Sequence, residues 1–150
     1  MGYYYRVFWR ITRMAVVKEL LRAEANGSVS FGDYTLATKS KVEDFKHGED
    51  VLKVKTFQEI TRLEKNGMVL YESVPGTSVT DFTELDNGMK FKVEGPTDAS
   101  ITLGLADDTE YKVSVNGVST GSVTSKMGGK VSLSVELAGA GEVEVMVKKA

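Results

Sequence analysis

Between Ile101 and Val147 the chain alternates apolar and polar residues so regularly that it narrows the fold to one class. Ile101, Leu103 and Leu105 alternate with Thr102 and Gly104, and Tyr111, Val113 and Val115 with Lys112 and Ser114. Val131, Leu133, Val135 and Leu137 alternate with Ser132, Ser134 and Glu136, and Val143, Val145 and Val147 with Glu144 and Met146. A period of two sends successive side chains to opposite faces of a pleated strand. The runs are separated by turn-forming residues: Asp107-Asp108, Asn116-Gly117, Gly128-Gly129 and Gly139-Ala140-Gly141. Such a pattern specifies an antiparallel meander with one apolar and one polar face. The expected core of this part holds Phe91, Val93, Ile101, Leu103, Tyr111, Val113, Val115, Leu133, Val135, Val143 and Val145. Lys90, Lys92, Lys112, Ser132, Ser134 and Glu144 are expected to face the other way.

The N-terminal part carries an apparent internal repeat with a spacing of 40 residues. The matched pairs are Glu19/Glu59, Arg22/Arg62, Glu24/Glu64, Asn26/Asn66, Gly27/Gly67 and Val29/Val69, with Phe31/Tyr71 as an aromatic match. Asn-Gly between alternating segments favours a tight hairpin, because a type I′ turn needs positive φ at both central residues. The repeat therefore predicts two hairpins of similar backbone. Val16–Ala25 and Phe57–Lys65 are also compatible with short helices. Thr56-Phe57-Gln58-Glu59 has the form of a capping box, and Phe57, Ile60 and Leu63 lie three apart. Strands are preferred, since Asn66-Gly67 runs directly into Met68-Val69-Leu70-Tyr71. Val74-Pro75-Gly76-Thr77 breaks the pattern and sets the expected boundary between residues 14–79 and 80–150.

With 150 residues, 41% of them hydrophobic, the chain can build a core of its own. A net charge of −2 gives no long-range field favouring nucleic acid. Cysteine is absent, which rules out disulfides, thiolate metal sites and cysteine nucleophiles and fits the cytoplasm. No apolar run is long enough to span a membrane as a helix. Residues 1–13 stand apart. Tyr3, Tyr5, Val7, Trp9 and Ile11 alternate, while Arg6, Arg10 and Arg13 face no acidic residue in the segment. The arginines interrupt the apolar run that a secretory signal needs. This segment is read as a first strand, an extension ahead of Met14, or an aromatic arm whose Tyr3, Tyr5, Phe8 and Trp9 serve self-association.

No catalytic constellation emerges. His47 is the only histidine and sits in the charged run Phe45-Lys46-His47-Gly48-Glu49-Asp50, the setting of a solvated turn. Asp81, Glu84 and Asp86 form one carboxylate group, and Asp107, Asp108 and Glu110 another. Neither has the spacing of a twelve-residue calcium loop. Gly128-Gly129-Lys130 lies between two strands, so it is no phosphate-binding loop opening a helix. No metal and no cofactor are expected.

Residues Thr109-Glu110-Tyr111-Lys112-Val113, Asn116-Gly117, Gly128-Gly129-Lys130-Val131-Ser132-Leu133 and the closing Val-x-Val-x-Val resemble the small β-sandwich modules appended to bacterial polysaccharide-degrading enzymes. Taken whole, Met14–Ala150 also looks similar to small bacterial all-β proteins of unknown function. Residue pattern and resemblance converge on an all-β protein, an antiparallel sandwich or jelly roll of ten to twelve short strands with room for one short helix. The leading expectation for function is a non-enzymatic interaction or assembly module that binds itself or another protein. The second is a carbohydrate-binding module in which Tyr34, Tyr71 and Tyr111 stack on sugar rings of a polysaccharide. The third is a carboxylate-dependent hydrolase.

Overall fold

A computed structural model describes residues 16–150. Thirteen strands and no helix are present among the described residues. They are β1 (Leu21–Ala23), β2 (Val29–Phe31), β3 (Ser40–His47), β4 (Asp50–Phe57), β5 (Ile60–Lys65), β6 (Met68–Val74) and β7 (Ser78–Leu85). After these come β8 (Gly88–Glu94), β9 (Ala99–Gly104), β10 (Glu110–Val115), β11 (Val118–Thr124), β12 (Lys130–Val135) and β13 (Val143–Lys149). Two antiparallel sheets pack face to face. One has the order β1-β2-β7-β8-β13-β10-β11 and the other β12-β9-β6-β5-β4-β3. The expected sandwich is the observed one, and both segments considered for helices are strand and turn.

The connections lock the sheets together. β3 to β6 run as a meander in the six-stranded sheet, and the chain then passes to the other sheet for β7 and β8. It returns for β9, leaves for β10 and β11, returns for β12, and finally inserts β13 between β8 and β10. The expected boundary after residue 79 thus falls inside β7, and both sheets draw strands from both sides of it.

Alternation decides what enters the core. Phe31, Val79, Phe91, Val93, Val143 and Val145 come inward from the seven-stranded sheet, and Val54, Leu63, Tyr71, Ile101 and Leu103 from the six-stranded sheet; all are buried. Tyr71 reaches across and meets Phe31 and Phe91 edge-on, with ring centroids 5.3 and 5.5 Å apart. Edge-to-face aromatic pairs contribute about 0.5–1.5 kcal/mol beyond the area they bury. Two expected core residues depart from the pattern. Leu133 and Val115 are only half-buried. For Leu133 the reason is that β12 ends its sheet and has a neighbour on one side only. The cost of Leu133→Ala accordingly falls below the roughly 2–5 kcal/mol expected of a fully buried leucine.

The apparent repeat does not extend to the backbone. Both Asn-Gly segments join antiparallel strands, but Leu21 pairs with Phe31, whereas their counterparts 40 residues on do not pair; Leu63 takes Tyr71 instead. Asn66 and Gly67 have φ of 52° and 83°, as a type I′ turn demands. In the first hairpin the Asn26 side chain caps a wider turn, accepting from the Ser28 backbone N–H at 3.0 Å. One hairpin lies at a sheet edge and the other inside a sheet, so like sequences serve different registers.

One end of the sandwich is polar inside. Thr56, Thr61, Ser73, Thr77 and Ser78 are buried there with the Tyr71 hydroxyl. The Thr61 hydroxyl donates to the Thr77 carbonyl at 2.7 Å and accepts the Thr77 N–H at 3.0 Å. Its single proton is thereby used, so Thr56, 2.9 Å away, is the donor to Thr61 and accepts the Asp33 N–H at 2.9 Å. The Thr77 hydroxyl lies 2.7 Å from both the Tyr71 and the Ser73 hydroxyl. Gly76 is held so close that a Cβ there would lie 2.0 Å from the Phe57 carbonyl oxygen. We expect Thr77→Val, which keeps the shape and deletes the hydroxyl, to cost about 2–4 kcal/mol in denaturant melts, because buried hydroxyls of Tyr71 and Ser73 lose their partner. Adding Tyr71→Phe should then cost less than it does in the otherwise wild-type protein.

Candidate functional site

The tyrosines expected to bind ligand do not form a platform. Tyr71 and Tyr111 are 0% and 1% exposed. The Tyr71 hydroxyl is tied to Thr77, and burial pushes its pKa up; the Tyr111 hydroxyl accepts the Ala106 N–H at 3.0 Å. Both rings point between the sheets, because each follows the inward parity of its strand. Tyr34 alone remains half-exposed, on the loop between β2 and β3. Its hydroxyl is shifted up by burial and by the nearby carboxylates of Glu94 and Asp33. Stacking by these three residues together is therefore excluded. Tyr3, Tyr5, Phe8 and Trp9, with the whole of 1–13, lie outside the described residues. His47, half-buried at the end of β3, borders a recess of about 190 Å³ between the sheets with Asp50, Lys65 and Glu84. Lys65 and Glu84 form an ion pair of 2.8 Å across its mouth.

The most developed surface feature is on the outer face of the seven-stranded sheet. A bulge in β7 between Thr80 and Thr83 gives Asp81 a φ of 53° and turns it toward β2. The Asp81 carboxylate accepts from the Ser28 hydroxyl at 3.2 Å, and its N–H donates to the Ser30 hydroxyl at 3.1 Å. Ser30 in turn donates to Glu24, which also accepts from the Arg22 guanidinium at 3.1 Å. These bonds, with Ser30 the larger contributor, hold the Glu24 carboxyl below its usual range. Two recesses of about 370 and 340 Å³ adjoin here and share Asp81 and Lys92. Asn26, Thr83, Lys90 and Glu144 line the first, and Arg22, Glu24, Thr80 and Glu142 the second. The resulting groove is rich in donors and acceptors, with no exposed aromatic wall. Beyond it, at the end of β8, burial and then the neighbouring Glu142 raise the pKa of Glu94. Among the described residues no group of histidines and carboxylates is arranged to hold a metal ion. No helix among them is long and apolar enough to cross a membrane.

The four sheet edges differ in chemistry. β1 is three residues long. β3 carries Lys41, Glu43, Asp44 and Lys46, and bulges between Val42 and Phe45. Short length, charge and bulges are the usual guards of a free edge. β11 has no charged residue in Val118–Thr124, and its neighbour in sequence, β12, has only Lys130. These two form the edges of the two sheets and are joined by Ser125–Gly129. Val118 and Met127 are 67% and 87% exposed on that stretch.

Comparisons with protein-family models, with curated proteins and with solved structures each find no match, so the geometry alone carries the functional reading. Glu94 provides a check on the electrostatics of the groove end. A carboxyl whose pKa is raised on folding opposes the fold when ionised, and that penalty vanishes below its unfolded pKa. Glu94→Gln should therefore raise Tm at neutral pH, with the gain fading as pH falls through the carboxylate range. An equal gain at all pH values would assign the effect to packing instead.

Proposed function

We propose that this protein is a non-enzymatic interaction and assembly module that extends its sheets through the β11 side. The observation that supports this reading is the contrast between edges in charge and length: β3 is charged, β1 is minimal, and β11 is a seven-residue edge without a charge. A free edge offers unpaired N–H and C=O groups to an added strand. The occupant is a second copy of the chain. Antiparallel pairing of two β11 strands about Ser122 sets Gly121 opposite Val123, so no charges meet and the contact is self-complementary. The bulge opposite Val113 and Ser114 leaves Gly121–Thr124 as the regular part of this edge. The cytoplasm is the compartment this reading assigns, since a chain without cysteine suits a reducing environment.

Carbohydrate binding is the second reading, favoured by the hydrogen-bonding groove beside Asp81 rather than by the tyrosines. Retention on an insoluble polysaccharide, lost in Asp81→Ala but kept in Ser122→Lys, would support it.

For the leading reading, sedimentation velocity over a wide concentration range should show self-association of the wild type. Ser122→Lys places two ammonium groups face to face in the assembly and should return the protein to monomer with its Tm unchanged. A wild type that stays monomeric throughout, or a Ser122→Lys variant that associates equally well, would refute pairing at this edge.

A further inference from the structure

On the outer face of the seven-stranded sheet the pairing of β13 with both neighbours brings like charges together. Lys112 on β10 lies directly opposite Lys148 on β13. Directly opposed residues have Cβ atoms roughly 4.5–5.5 Å apart, and like charges in such a pair are unfavourable. On its other side Lys148 faces Gly88, which has no side chain to fill the space. Gly88 is fixed there, since a Cβ would lie 1.8 Å from the Val147 carbonyl oxygen. Lys90 pairs with Met146, one step along the same face, and so sits diagonally across from Lys148. All three lysines are exposed. Among the ion pairs of the described residues none involves Lys90, Lys112 or Lys148. Glu110, two residues before Lys112 on the same face, and Glu144, diagonal to Lys90 across β13, are the acidic residues that flank the cluster.

We propose that Lys90, Lys112 and Lys148 form a binding site for a tetrahedral oxyanion, the phosphate or sulfate group of a small polar ligand. Three ammonium groups on three adjacent strands can converge on one anion from different sides. No arginine takes part, and lysine binds phosphate as a point charge without demanding a planar partner. Lys90 also lines the recess of about 370 Å³, together with Asn26, Asp81, Thr83 and Glu144. Those carboxylates repel an anion and accept hydroxyl protons. They therefore direct the anionic group to the lysines and leave the recess to a hydroxyl-bearing body. This site uses the sheet's face, independent of the edge pairing proposed above.

The test is a titration of the full chain with inorganic phosphate, glucose 6-phosphate and glucose, followed by amide chemical shifts at constant ionic strength. Phosphate and the sugar phosphate should both give saturable shifts on β8, β10 and β13, and glucose none. Tighter binding of the sugar phosphate identifies an ester as the ligand, and equal binding a free anion. Lys148→Met, which keeps the apolar stem, should weaken binding about tenfold or more, the loss of one charge-assisted hydrogen bond. The same variant should melt no lower than wild type in low salt without phosphate, because it relieves the repulsion with Lys112. Lys46→Met, on the far edge of the other sheet, should bind as wild type. Shifts that do not saturate, or a Lys148→Met variant that binds phosphate as wild type does, would overturn the proposal.

Discussion

Thr77 ties the two sheets at the point where the chain first leaves one for the other after the meander. Burying a hydroxyl without a partner costs about as much as a buried methylene or two contributes, so a polar cluster inside a sandwich survives only when every member is matched. Here the chain of donors from Asp33 to Thr77 is closed. Asp33 N–H goes to Thr56, Thr56 to Thr61, Thr61 to the Thr77 carbonyl, and the Thr77 N–H back to Thr61. The Thr77 hydroxyl then fixes Tyr71, and Tyr71 carries the contact with Phe31 and Phe91 into the apolar centre. Hydrogen bonding at one end and aromatic packing in the middle are thus a single constraint. It joins the loop after β2, the strands β4, β5 and β6, and the crossing into β7.

Much of this was legible in the residues. The alternating runs mark β8, β9, β10, β12 and β13, and their parity correctly separates Phe91, Val93, Ile101 and Val145 inside from Lys90, Lys112 and Glu144 outside. β3 and β11 carry no such signal. Both are sheet edges with little or nothing buried, so selection for an apolar face is weak and no period of two develops. The same parity argument places Tyr111 in the core with Val113, where it lies. Its second reading, as a ligand platform, rested on the chemistry of tyrosine rather than on its position. The groove was less accessible. Asp81 reaches Ser28 and Ser30 because of a bulge, and a bulge leaves no mark in an alternation pattern. The meeting of Lys112 with Lys148 depends on which strand β13 joins, a long-range pairing that local sequence does not determine.

The polar key and the bare edge describe opposite demands on one scaffold. Where the chain crosses between sheets at Thr77, close backbone contact at Gly76 and matched hydroxyls leave little freedom. At β11 the strand has one neighbour, carries no charge and buries almost nothing. A module that adds strands needs both: a frame that does not open, and an edge whose hydrogen bonds are available. The outer face of the seven-stranded sheet, with its groove and lysines, is a third surface that neither demand explains.

Native-state amide hydrogen exchange tests this division most directly. The amides of Thr77 and Asp33 should exchange only through global unfolding, with protection equal to the stability measured in denaturant. Those of Gly121–Thr124 should exchange through smaller openings in dilute solution and gain protection as concentration rises. Exchange of Thr77 by local opening, with β11 protected to the global limit in the monomer, would contradict the account.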